Sequence, residues 1–141
     1  MSHRILICSD CRALNRVPLE RVGQSPVCGK CKKPLAVDPV LAVDAATLEV
    51  AIRSSPIPVV VDFWAPWCGP CRSFAPTYRS QAEAEPARAL YLKLDTQDHP
   101  EVAERYKIQG IPTLIAFRQG RELARQSGAM PAAQLRSWLP A

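Results

Sequence analysis

In the stretch FWAPWCGPCRSF, residues 63–74, two residues separate Cys68 from Cys71, and the run before them is almost wholly apolar. A cysteine pair with this spacing can hold a metal, form a structural disulfide or change oxidation state during a reaction. The spacing alone does not decide, because two further pairs share it: Cys8 with Cys11, and Cys28 with Cys31. The chemistry of each pair therefore depends on its surroundings in the fold.

The length and composition of the chain point to a globular protein. It has 141 residues, 48% of them hydrophobic, which suits one domain of about 100 residues with a small added module. No apolar run approaches the roughly 20 residues that cross a bilayer, and the N-terminus lacks the pattern of a secretory signal. We therefore expect a cytoplasmic protein with no membrane partner, in which cysteine pairs serve metal binding and redox chemistry.

The net charge of +5 is concentrated near the N-terminus. Residues 1–38 contain seven Lys or Arg against three acidic residues, whereas the remainder is nearly balanced. Four thiolates around one Zn²⁺ would give that region two negative charges and compensate part of its surplus. Nucleic acid is therefore not expected as a partner.

A change in composition near Pro34 indicates a boundary between two units. Before it, short segments are separated by Pro and Gly, and they are too short to bury a core alone. Longer periodic segments follow Pro39, with a linker at 34–40 between the two parts. We predict an N-terminal module at residues 1–38 and a second domain at residues 39–141.

The second domain alternates helical and strand patterns. Asp44 is predicted to cap a helix that ends near Ser54, and Asp98 with Glu101 to form a capping box. A turn signal at Gln119-Gly120 predicts an antiparallel hairpin. The predicted helices span 44–54, 68–85, 98–107 and 131 onward, and the strands 57–64, 90–95, 113–118 and 122–127. This order predicts an α/β domain whose central mixed sheet is flanked by helices.

These elements place Cys68 after a buried strand and at the start of a helix. Free N–H groups and the helix dipole stabilise a thiolate there, which lowers its pKa from about 8.5 toward about 7. Cys71 lies one helical turn further on, where it can resolve a mixed disulfide. Asp62 lies in the apolar strand, where burial raises a carboxyl pKa, and we predict general acid/base work on Cys71. The alternative is an aspartate at a strand end that simply meets water.

With the motif WCGPC after VVVDFWA, and with Gly110-Ile111-Pro112-Thr113 downstream, residues 40–141 resemble thioredoxins. The resemblance implies the thioredoxin fold, a cis peptide before Pro112 against the sulfurs, and pairing of a substrate chain with the Ile111 backbone. It also implies a flat, mostly apolar substrate-binding surface: Trp67, Gly69, Pro70, Ile111, Pro112 and Gly128.

The two N-terminal pairs extend the resemblance to the bacterial class of thioredoxins that begins with a zinc ribbon, the thioredoxin 2 class. Their spacing falls within the range of a four-cysteine zinc site. We predict one structural Zn²⁺ per chain in a closed tetrahedron of thiolates, with disulfides or free thiols as the alternatives. The predicted metal ligands are Cys8, Cys11, Cys28 and Cys31.

The function that this resemblance implies is that of a protein-disulfide reductase. Its substrates would be disulfide-bearing proteins, and an NADPH-dependent thioredoxin reductase would return the oxidised pair to the dithiol. An alternative is that the zinc ribbon is an interaction or client-holding module, and that the redox role is secondary or regulated by zinc.

Two positions depart from the family pattern. Many thioredoxins place a lysine near the buried aspartate, at the position that the pattern assigns here to Tyr91. Lys93 lies two residues further on, and whether it reaches Asp62 is open at this point. Ser127 stands before Gly128, where family members more often have an apolar residue, which implies a different substrate preference.

Overall fold

The computed structural model describes residues 3–140. Residues 1, 2 and 141, which belong to the ends of the predicted domains 1–38 and 39–141, lie outside the described part. Within that part, no helix combines the length and the apolar character needed to span a membrane.

The N-terminal module is a small hairpin followed by turns. Strand β1, His3–Ile7, pairs antiparallel with β2, Leu14–Pro18, and a single 3₁₀ turn, Leu19–Arg21, follows. Cys8 follows β1 directly, so the hairpin loop carries the first cysteine pair. Neither strand was predicted from the sequence, because β2 lacks clear alternation of apolar and polar residues and the apolar run of β1, Ile5-Leu6-Ile7, is only three residues long.

The second unit contains a five-stranded sheet among the described residues. Its strands are β3 (Leu41–Ala42), β4 (Val59–Trp64), β5 (Leu90–Asp95), β6 (Thr113–Arg118) and β7 (Arg121–Ser127). The order is β3-β5-β4-β6-β7, in which β3, β5 and β4 are parallel, β6 pairs antiparallel with β4, and β7 pairs antiparallel with β6. This confirms the predicted mixed sheet and its C-terminal hairpin.

Four helices connect and cover these strands within the described chain. They are α1 (Ala45–Ser54), α2 (Gly69–Ala84), α3 (Pro100–Arg105) and α4 (Ala132–Trp138). Both faces of β4 are buried: Val59, Val61 and Phe63 belong to one apolar cluster, and Val60 belongs to a second cluster on the other face. The continuous apolar run of β4 is therefore the pattern of a strand covered on both sides.

The start of one helix matches its prediction and the start of another does not. The Asp44 carboxylate accepts the Thr47 N–H at 2.8 Å and caps α1 as predicted. The predicted capping box of Asp98 and Glu101 is wrong, because α3 begins one residue later with His99 at its cap and no side-chain cap bond. Pro100 occupies the first helical position, where its fixed φ and missing N–H suit a helix start.

The N-terminal module packs against the edge of the sheet that β3 forms. Ile5 and Ile7 belong to the same buried cluster as Leu41 and Val43. The buried Arg4 guanidinium donates hydrogen bonds to the backbone carbonyls of residues 37 and 38. The segment predicted as a linker is therefore held in place by contacts with β1.

Candidate active site and metal centre

Cys68 and Cys71 form a disulfide at the N-terminus of α2, with Cα atoms 5.2 Å apart. Cys68 occupies the N-cap position, and its sulfur accepts the Cys71 N–H at 3.2 Å. Both residues are buried in this oxidised form, with exposed fractions of 4% and 2%. Pro70 lies in the first turn, where a proline removes no intrahelical hydrogen bond.

The loop before β6 closes one side of the disulfide. The peptide bond between Ile111 and Pro112 is cis, as the family resemblance implied. The Cys68 sulfur lies 3.7 Å from the Ile111 carbonyl oxygen, and the Gly128 N–H donates to the Pro112 carbonyl at 2.8 Å. Gly128 has φ +92°, a conformation that side chains disfavour.

The residues predicted to bind substrate fall into two groups around the sulfurs. Trp67 is 68% exposed, and Gly69 and Pro70 at the start of α2 are also exposed. Ile111 packs against the cysteine pair from the other side. Trp67, Gly69 and Pro70 are therefore next to the disulfide through the chain itself, and Ile111 is next to it through this contact.

Asp62 lies in β4 and is only 4% exposed. Burial raises the pKa of its carboxyl to about 7, although the nearby charge of Lys93 acts to lower it. Its Oδ1 atom has no hydrogen-bond partner within residues 3–140. The side chain lines a cavity of about 350 Å³ beside α2, so the alternative of an aspartate freely exposed at a strand end does not hold.

Lys93 lies beside Asp62 in the sheet. Asp62 and Lys93 are Cα partners in the parallel pairing of β4 and β5, and both side chains line the same cavity. The Lys93 ammonium also lies 5.5 Å from the ring centroid of Trp64. Tyr91 instead points into the apolar cluster, and its hydroxyl donates to the Glu85 carbonyl at 3.0 Å. Lys93 therefore takes the place beside the buried carboxyl.

Sequence reasoning missed Tyr78, which also lines this cavity. Its hydroxyl lies 3.0 Å from the Val60 carbonyl oxygen and 2.9 Å from that of Leu92. Nothing in the sequence indicated which strand carbonyls its hydroxyl would meet.

The four remaining cysteines converge in the N-terminal module. Their sulfur atoms all lie within 4.8 Å of one another, with Cys8 and Cys31 at 3.6 Å and Cys11 and Cys28 also at 3.6 Å. In a tetrahedron with Zn–S bonds of about 2.3 Å, sulfur atoms are about 3.8 Å apart. The arrangement therefore fits a four-thiolate zinc site.

The two cysteine pairs have the same backbone geometry, twenty residues apart. Arg12 donates its N–H to the Cys8 carbonyl at 2.8 Å, and Lys32 donates to the Cys28 carbonyl at 2.9 Å. Arg12 and Lys32 both have positive φ values, 63° and 67°. Each pair is thus held in the same tight turn, which aims its two sulfurs at a common point.

Backbone donors favour the thiolate form at Cys28, whereas at Cys31 the Lys33 N–H acts to lower the pKa but burial and the neighbouring cysteines raise it to about 11. The N–H groups of Cys31 and Lys30 and the Asn15 side chain act on the Cys28 sulfur, and they lower its pKa to about 6 against the opposing effect of burial. The Asn15 amide lies 3.6 Å from that sulfur, and its oxygen accepts the Gly29 N–H at 2.9 Å. Asn15 therefore orients a ligand from outside the cysteine set.

Two family models match separate parts of the chain. A family model described as Thioredoxin matches residues 39–141. A second model, described as Thioredoxin 2, N-terminal, matches residues 7–33, which include all four clustered cysteines.

Individual relatives cover most of the chain. Thioredoxin C-3 from Corynebacterium nephridii is 35% identical over 135 residues, which are 96% of this chain and 92% of that protein. Thioredoxin 1 from Chlorobaculum tepidum is 41% identical over 92 residues, 65% of this chain and 91% of its own. A crystal structure of chloroplastic thioredoxin z aligns with a TM-score of 0.66 at 34% identity, covering 71% of this chain and 90% of that one.

Proposed function

The chain belongs to the thioredoxin family, and on that basis we propose how its residues carry out protein-disulfide reduction. The protein is a thiol–disulfide oxidoreductase. The observation that carries the assignment of residues is the Cys68–Cys71 disulfide at the N-terminus of α2, packed against Ile111 of the cis Ile111–Pro112 peptide. Cys68, Cys71 and Asp62 are the proposed catalytic residues.

In the reduced protein, Cys68 is the attacking group. Its thiolate forms a bond to one sulfur of the substrate disulfide, and the other substrate sulfur leaves as a thiolate that takes up a proton. The Cys71 N–H, which the Cys68 sulfur accepts at 3.2 Å, stabilises negative charge on that sulfur. The first step therefore ends in a mixed disulfide through Cys68.

Cys71 then completes the reaction. Asp62, as carboxylate, takes the Cys71 proton, and the resulting thiolate attacks the Cys68 sulfur. The mixed disulfide breaks, the second substrate sulfur leaves as a thiolate, and the two electrons of the dithiol have passed to the substrate. The cavity beside Asp62 gives the proton a route to solvent.

Substrates are proposed to bind across the exposed face around the sulfurs. An extended substrate segment adds main-chain hydrogen bonds at Ile111, as an added strand does at a sheet edge. The surface offered to it consists of Trp67, Gly69, Pro70, Ile111, Pro112 and Gly128. Of these six residues Pro112 is buried and Ile111 is half-buried, so the exposed part is formed by the other four. A small exposed surface of this kind suits brief contact with many different proteins.

The N-terminal module is proposed as a zinc ribbon at residues 1–38, preceding the thioredoxin domain at 39–141. Family membership and the sulfur geometry indicate zinc binding. We propose that Cys8, Cys11, Cys28 and Cys31 hold one Zn²⁺. Four thiolates leave no open position for water, so this metal would have a structural role.

The family implies two kinds of partner for the redox site. Disulfide-bearing proteins are the substrates, and a reductase returns the oxidised pair to the dithiol. We propose that this reductase is an NADPH-dependent thioredoxin reductase and that the protein acts in the cytoplasm. Neither a membrane nor nucleic acid is part of the proposal.

The test is insulin disulfide reduction coupled to NADPH and thioredoxin reductase. Cys68→Ser should abolish turnover, and Cys71→Ser should accumulate a mixed disulfide through Cys68 that mass spectrometry detects. Ser80→Ala, at an exposed position further along the same helix, should keep wild-type turnover. Retained activity in Cys68→Ser would overturn the assignment.

One observation favours a second, binding role for the zinc ribbon. Val27 is 53% exposed, and together with the Arg16 and Arg21 side chains it lines a shallow cleft on the module. A double variant with Cys68→Ser and Cys71→Ser should still protect unfolded rhodanese from aggregation if the module binds clients. Adding Val27→Asp to that variant should then abolish the protection. Equal behaviour of both variants would argue against it.

A further inference from the structure

Tyr78 extends from α2 to the sheet and carries a buried hydroxyl that the proposed reaction does not use. The residue is 2% exposed, packed against Phe74 and, edge-on, against Tyr91. Burial raises the pKa of its hydroxyl well above the ordinary value, so it remains protonated and acts as a donor. That donor is shared between the Val60 and Leu92 carbonyl oxygens, 3.0 and 2.9 Å away.

These two carbonyls belong to the hydrogen bonds that hold Asp62 in the sheet. Two backbone hydrogen bonds show which N–H groups of β5 donate to which carbonyls of β4. The Leu90 N–H donates to the Pro58 carbonyl at 2.8 Å, and the Thr96 N–H, just after β5, donates to the Trp64 carbonyl at 2.8 Å. By the same parallel alternation, the Leu92 N–H donates to Val60 and the Asp62 N–H donates to Leu92. The Tyr78 hydroxyl therefore meets the carbonyl that accepts from the Asp62 amide.

The Asp62 side chain has little else to fix its position. Its Oδ1 atom lacks a hydrogen-bond partner in the described chain, although it lies in the cavity that Tyr78 also lines. The charged groups that face this cavity are Arg72 and Arg79 from α2 and Lys93 from β5. On the other side of β4, strand β6 places the uncharged Leu114 opposite Asp62. Of these cations Lys93 already acts on the Asp62 carboxyl, and a shift of the carboxyl toward any of them would favour the carboxylate.

We propose that Tyr78 is a positioning residue for proton transfer, whose hydroxyl holds the Asp62 backbone through the Leu92 carbonyl, so that the carboxyl stays buried and apart from the cations that line the cavity. This inference rests on the proposed role of Asp62. Without the hydroxyl, the ladder next to Asp62 loosens, and water and cations reach the carboxyl more easily. Both changes stabilise the carboxylate, so the acid/base transition should move to lower pH.

The experiment compares Tyr78→Phe with Tyr91→Phe as a matched control. Both variants remove a buried tyrosine hydroxyl from the same apolar cluster, but Tyr91 donates to the end of α2 rather than to the ladder. Titration of the Asp62 carboxyl by ¹³C NMR should show a midpoint lower by about half a pH unit or more in Tyr78→Phe only. Equal midpoints in wild type and Tyr78→Phe, or equal shifts in both variants, would overturn the proposal.

Amide hydrogen exchange gives a second readout that a general loss of stability does not produce. Tyr78→Phe should accelerate exchange of the Asp62 amide about tenfold relative to the Ile115 amide in β6, and Tyr91→Phe should not. Uniform acceleration of all core amides would reduce Tyr78 to a packing role. Both measurements observe the carboxyl and its amide directly, so they remain valid if Asp62→Asn shows that Asp62 does not serve the reaction.

Discussion

At the scale of single residues, the buried Asp62 carboxyl makes the free energy of unfolding depend on pH. Its pKa is about 7 in the folded protein, against about 3.9 for an exposed aspartate. Between these values the unfolded chain has lost this proton while the folded chain keeps it. The contribution of Asp62 to stability therefore falls as pH rises from about 4 to about 7.

Asp62→Asn should remove this pH-dependent penalty. We expect the free energy of unfolding to increase by roughly 2 to 4 kcal/mol at pH 8, because the wild-type carboxyl is then ionised and buried. The gain should decrease as pH falls through 7 and vanish near pH 4. Urea unfolding at a series of pH values measures it, and a gain that does not change with pH would contradict the explanation.

Lys93 should set how far the pKa of Asp62 rises. Its positive charge acts to lower that pKa, so Lys93→Met should raise it above about 7 and shift the acid/base transition toward alkaline pH. Lys93→Arg keeps the charge and is the matched control, with a smaller shift expected. NMR titration of the carboxyl distinguishes the two, and a shift to lower pH in Lys93→Met would refute the expected sign.

Some residues of the site can be predicted from the sequence and others cannot. Cys68, Cys71 and Asp62 could be predicted, because a CxxC motif after a buried strand containing one carboxylate already suggests their chemistry. Lys93 could not be assigned, because its place beside Asp62 depends on the register between two strands that are distant in sequence. Tyr78 depends on the same register and on the direction of a helical side chain.

At the scale of the elements, strongly periodic segments were predicted well and short ones were not. Strands β5 and β6 have the predicted bounds, and α1 has its predicted cap. The two-residue strand β3 was missed, because two residues cannot show a period. The start of α3 was misplaced, since the position of a proline decided it rather than the capping residues.

Helix caps can be compared directly within this chain. Asp44→Ala removes the bond from the Thr47 N–H and should lower the free energy of unfolding by about 1 kcal/mol, within the range of roughly 0.5 to 2 for lost caps. Asp98→Ala removes a carboxylate that caps no helix, so a change below about 0.5 kcal/mol is expected. Chemical unfolding of both variants is the measurement, and equal losses would show that the cap geometry has no energetic role.

At the scale of the whole molecule, the ribbon and the sheet share one core. Ile5 and Ile7 of β1 face the sheet cluster, whereas Leu6 between them packs with Cys8 and Cys28 inside the module. Sequence reasoning placed a boundary between the two parts without predicting this contact. The signal was present in the uninterrupted apolar run Ile5-Leu6-Ile7, which is typical of a strand buried on both faces.

Zinc removal should therefore weaken the entire protein. Cys8 follows Ile7 directly, so loss of the metal frees the strand that completes the sheet cluster. Calorimetry of the reduced, zinc-loaded chain should show one unfolding transition, and a zinc chelator should lower its midpoint. Two separate transitions, with the upper one unaffected by the chelator, would mean that the parts are energetically independent.

The strand order also limits how copies of this protein can associate. Strand β3 has two residues, so β7, with seven, is the longer of the two edges of the sheet. Its exposed residues include Arg121, Glu122 and Arg125, and charges on an edge strand oppose pairing with a neighbouring molecule. Charged residues therefore cover the longer open edge of the sheet and oppose the joining of two copies of this chain through β7.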